Sequence, residues 1–66
     1  MIAKTFERFL RYETGLGYMD FYNIHTLEEG EKILKELFEK WIKLENPTEP
    51  WKMVAKFNLE ELGYEI

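Results

Sequence analysis

His25 is the only side chain of this protein that titrates unaided near neutral pH, and Glu28 and Glu29 follow it closely. A histidine with two carboxylates is the raw material of an acid–base or metal site. Here it lacks the rest: the chain has one histidine and no cysteine, so no second imidazole or thiolate can complete a ligand set. A general base also needs an oriented partner and a pocket, and the neighbourhood of His25 supplies neither signal. His25 reads as a loop residue packing at a helix entry. No metal site and no cofactor are expected.

The thirteen carboxylates do not suggest a catalytic pair either. The largest group, six of them, lies on one helix that also carries four lysines, which is the pattern of a solvated face. A hydrolytic pair needs two carboxyls in a cleft with one of them held protonated. Glu13 and Asp20 stand apart, because neither has a cation three or four residues away to pair with along a helix. Gly15-Leu16-Gly17 lacks the further glycine and the lysine of a phosphate-binding loop and reads as a turn. No catalytic residue is assigned, and the chain is expected not to be an enzyme.

Two groups remain as candidate partner-binding residues. Lys4, Arg8 and Arg11 share the face of the first helix opposite its apolar stripe. Tyr18, Phe21 and Tyr22 form an aromatic cluster in a connector that holds Asp20 and no cation, which argues against base stacking. Rings of this kind either close a core or anchor a protein interface. From Tyr12 to Glu31 the chain has no lysine or arginine but five acidic residues, so its charge is polarised.

Three helices are expected to position these groups. The first covers about Ile2 to Thr14, with Ile2, Phe6, Phe9 and Leu10 on one face and Gly15 as its stop. The connector Gly15 to His25 is left open between an extended segment, a loop and a single helical turn. The second helix begins at Thr26, where Thr26 and Glu29 match a capping box, and ends before Asn46-Pro47. Leu27, Ile33, Leu34, Leu37, Phe38, Trp41, Ile42 and Leu44 span an arc of about 180°, wider than the usual apolar stripe of roughly 100° or more. Glu28–Lys32, Glu31–Lys35, Glu36–Lys40 and Glu39–Lys43 are spaced as i,i+4 pairs on the outer face. Gly30 lies within the apolar arc, where a glycine implies close approach of another backbone or ring, with the first helix as the expected source. The third helix starts between Thr48 and Pro50, with Trp51, Val54, Asn58 and Leu62 on one side and Met53 and Phe57 beside them. A break at Asn58 and a stop at Gly63 are expected.

The fold class is therefore mostly α: a single domain over residues 1–66, three helices, with a long central amphipathic one. The alternative is α+β, with a two-stranded ribbon formed by residues 18–24 and 63–66. Sixty-six residues bury only about 60% of their unfolded surface, so the core is marginal and self-association is one of few reinforcements left. A net charge of −4 disfavours direct binding to nucleic acid or to anionic membranes. No apolar run reaches the roughly 20 residues of a membrane span, and the N-terminus does not have the form of a secretory signal. A cytoplasmic location is expected. These readings converge on a small non-catalytic protein–protein interaction module, binding a protein partner or itself as a homodimer. The other reading is an acidic decoy or inhibitor of a nucleic-acid-handling protein.

Overall fold

A computed structural model describes residues 3–66. It is helical throughout, with the order α1 (Phe6–Thr14), α2 (Tyr18–Ile24), α3 (Leu27–Glu45) and α4 (Glu49–Glu61). There are thus four helices rather than the three expected, and no strand among the described residues. The expected start of the first helix at Ile2 lies outside those residues; α1 begins at Phe6, with Thr5 as its N-cap accepting from the Arg8 N–H. Gly15 ends it in the left-handed conformation at φ 77°, as a C-terminal glycine does.

The connector is a seven-residue helix, not a ribbon strand. Tyr18, Phe21 and Tyr22 fall at i, i+3 and i+4, so one turn aims all three rings inward while Met19, Asn23 and Ile24 stay exposed. The tail does not pair with it. Gly63, at φ 95°, lets the chain reverse, and the Tyr64 N–H returns to the Leu59 carbonyl at 3.0 Å.

α3 carries the capping box in full: Thr26 Oγ1 accepts from the Glu29 N–H, and Glu29 Oε1 accepts from the Thr26 N–H. Asn46 closes it at φ 46°, a left-handed residue ahead of Pro47. The apolar arc of α3 is sheltered at its centre. Leu34, Phe38 and Trp41 are buried, Ile33, Leu37 and Ile42 half-buried, and only Leu27 and Leu44 at the edges are open to water. Of the four i,i+4 pairs expected along its outer face, Glu31–Lys35 forms, at 3.8 Å. Lys40 instead reaches across to Glu13 of α1, which has no cation three or four residues away on its own helix.

α1 packs against both α3 and α4, and α2 packs against α3. The core has two aromatic ends. At one, Phe6, Phe38 and Trp41 meet with ring centroids 5.4–5.5 Å apart. At the other, Tyr64 lies 6.5 Å from Phe21 and 6.0 Å from Tyr22. Leu10, Leu34 and Leu59 are fully enclosed within the same core. The buried Gly30 does admit a ring, but it comes from Tyr64 of the tail and not from the first helix. Ala3 is clamped onto α3: its carbonyl accepts from Trp41 Nε1 at 2.9 Å, and its N–H donates to Glu45 Oε1 at 2.7 Å.

Candidate protein-docking surface

α4 is continuous through Asn58, where a break was expected. The residues turned into the core are Ala55 and Leu59, with Leu62 half-buried beyond the helix end. Of the side expected to hold Trp51, Val54, Asn58 and Leu62, Trp51 and Val54 are 40% and 47% exposed. Met53 and Phe57 are 67% and 61% exposed. Pro50, Met53, Val54 and Phe57 follow the i, i+3, i+4, i+7 spacing of one helix face, and that face points away from the protein.

The size of this stripe separates it from ordinary exposed apolar residues. The four large side chains together leave about 400 Å² of mostly apolar surface bare, within the range of functional patches on single-chain proteins. A lone exposed leucine needs no explanation, whereas a contiguous helix face on a chain this small does.

The three cations expected on one face of the first helix divide between two places, and Lys4 lies ahead of α1 rather than on it. Lys4 and Arg8 line a groove with Thr5 and Trp51, at the N-terminal end of α4. Arg11 does not join them. It pairs with Glu7 at 3.6 Å and lies against Gly17, in a second groove shared with Tyr18, Asn58 and Glu61 near the C-terminal end of α4. α1 and α4 therefore run side by side in the same sense. Neither Lys4 nor Arg8 has a carboxylate partner among the described residues, while the nearby Glu49 is paired with Lys52 at 3.1 Å.

The aromatic trio serves the core. Phe21 is buried and offers no surface, and Tyr18 and Tyr22 are half-buried against the core cluster. Burial raises the Tyr18 hydroxyl to about 12, with the Glu7 charge adding to the effect and the Asn58 side chain opposing it. His25 caps the end of α2: its Nδ1 sits 3.2 Å from the Phe21 carbonyl and its ring 4.3 Å from the Phe21 ring. Glu29 is committed to the Thr26 cap, which holds its carboxyl below the ordinary range. No group of three or more metal-ligating side chains occurs among the described residues, and no described helix is long and apolar enough to cross a membrane.

Sequence reasoning missed the exposed stripe because α4 is apolar on more than one side. The available signal was the pair Ala55 and Leu59, whose i,i+4 spacing makes a narrow core face of its own. No family model matches this chain, and no curated protein and no solved structure matches it.

Proposed function

We propose that this protein is a small non-catalytic protein–protein interaction module that docks its partner on the outer face of α4 and acts in the cytoplasm. The observation that carries this reading is the stripe of Met53, Val54 and Phe57 with Trp51 at its edge, turned to solvent on a helix whose opposite side is packed. Trp51 and the neighbouring Arg8 are of the residue types enriched among the side chains that carry most binding energy at protein interfaces. The residue inventory supports the non-catalytic part, with a single histidine that is tied into the end of α2 and no cysteine.

The test compares wild type with Phe57→Asp. Phe57 is largely exposed, so the substitution leaves the core untouched. Each is used to capture partners from extracts of cells that make the protein, and each captured partner is then purified and titrated against both forms. Binding by wild type that weakens at least tenfold in Phe57→Asp supports the reading. A partner that binds both forms equally overturns it. A basic nucleic-acid-handling partner, released by salt and indifferent to Phe57, would put the acidic decoy in its place.

A further inference from the structure

We infer that the occupant of the α4 face is a second copy of this chain, docked with the two α4 helices antiparallel across a two-fold axis near Val54. This rests on the docking role proposed for α4 and adds to it the identity and orientation of the partner.

Two observations select the second copy. The first is the distribution of unpaired charge along α4. At its N-terminal end, Lys4 and Arg8 stand beside Trp51 without carboxylate partners among the described residues, and Glu49 is already neutralised by Lys52. At its C-terminal end, Glu60 and Glu61 are exposed and make no ion pair among the described residues; Lys56, one turn earlier, is also exposed and unpaired, and Arg11 beside Glu61 is paired with Glu7, so this end keeps a net negative charge. The two ends thus differ in net charge, cationic at the start of α4 and weakly anionic at its end, with an apolar stripe between them. A two-fold axis places residue i of one copy on residue j of the other and j on i. Antiparallel copies then bring Lys4 and Arg8 of each against Glu60 and Glu61 of the other, twice. A parallel pair would oppose like charges at both ends. The helix dipoles favour the antiparallel choice as well, since the acidic end of each α4 meets the N-terminus of its mate.

The second observation is area. The apolar stripe of about 400 Å² is smaller than the roughly 600–800 Å² per partner at the smaller end of specific interfaces, so the charged ends of α4 must supply the rest of the buried area. A chain of 66 residues without cysteine has little else to reinforce its core than packing and association. The apolar pairing across the axis sets Trp51 of one copy towards Phe57 of the other.

Sedimentation equilibrium across micromolar to millimolar concentrations tests this. Wild type should rise towards twice its 8.1 kDa mass. Phe57→Asp, and independently Met53→Glu, should stay at 8.1 kDa with an unchanged helical circular dichroism spectrum. The charge arms address orientation: Lys4→Glu with Arg8→Glu should weaken association at least tenfold, Glu60→Lys with Glu61→Lys likewise, and all four together should return it to within about threefold of wild type. A wild type that remains single at every concentration overturns the inference, as does a dimer indifferent to Phe57 and Met53, or a fourfold variant that is not rescued. A monomer whose α4 face still binds another protein in the Phe57→Asp comparison would sink the second copy and leave the docking role standing.

Discussion

Tyr64 packs its ring onto the backbone of Gly30, so closely that a Cβ at position 30 would meet Tyr64 Oη at 2.7 Å and Cε1 at 2.8 Å. Glycine within a helix costs about 1 kcal/mol relative to alanine. α3 tolerates that loss because the vacant side chain admits the ring that seals one end of the core. Phe21 and Tyr22 stand against the same ring and keep it from swinging aside. Gly30→Ala should therefore destabilise the protein by about 1–2 kcal/mol despite the better helix propensity, because overpacking outweighs it. Urea unfolding midpoints check the sign. The buried Tyr64 hydroxyl has no hydrogen-bond partner, so Tyr64→Phe should be neutral or stabilising by up to about 1 kcal/mol. In that background the Gly30→Ala penalty should shrink.

Trp41 ties the start of the chain to the middle of α3. Its Nε1 donates to the Ala3 carbonyl at 2.9 Å in a buried setting. Trp41→Phe keeps a ring beside Phe6 and Phe38 but leaves that carbonyl without its donor. A loss of about 1–3 kcal/mol is expected from the orphaned acceptor and the smaller ring. Amide exchange should show the Ala3 N–H, now held by Glu45, losing protection together with the global change.

The capping box at Thr26 should be visible in the acid limb of stability. The Thr26 hydroxyl and N–H hold the Glu29 carboxyl below its ordinary value of 4.5. A carboxyl with a lowered folded pKa adds stability that is present above its unfolded pKa and lost as pH falls through the folded one. The melting temperature advantage of wild type over Glu29→Gln should accordingly hold at neutral pH and shrink as the pH falls below 4.5 towards the lowered folded value. Thr26→Ala, which removes the cap itself, should cost about 1 kcal/mol at neutral pH.

The alkaline limb should belong to the tyrosines. Tyr18 is raised to about 12 by burial and by Glu7, and burial raises Tyr64 as well. For a phenol with a raised folded pKa, stability is whole below the unfolded value near 10 and is lost as pH rises through the folded value. Denaturation midpoints should fall between about pH 10 and 12, and the fall should be shallower in Tyr18→Phe. An equal slope in wild type and variant would show that Tyr18 is not buried in this way.

The sequence by itself determined the local structure. Thr26 with Glu29 starts α3, Gly15 stops α1 and Gly63 releases the tail, because each acts on backbone groups a few residues away. The same short range fixed which side of α3 is buried, since Leu34, Phe38 and Trp41 repeat at helical spacing on a helix whose other side is charged. The i, i+3, i+4 spacing of Tyr18, Phe21 and Tyr22 already carried α2, hidden only by its brevity. Tertiary structure alone decided the rest. α4 is apolar on two sides, and only the docking of α1 against it chose Ala55 and Leu59 for the core and left Met53, Val54 and Phe57 outside. The ring that fills Gly30, the cation that answers Glu13 and the partner of Trp41 all come from segments more than 20 residues away. Periodicity and capping report on neighbours along the chain, whereas these pairings depend on how whole helices lie against one another.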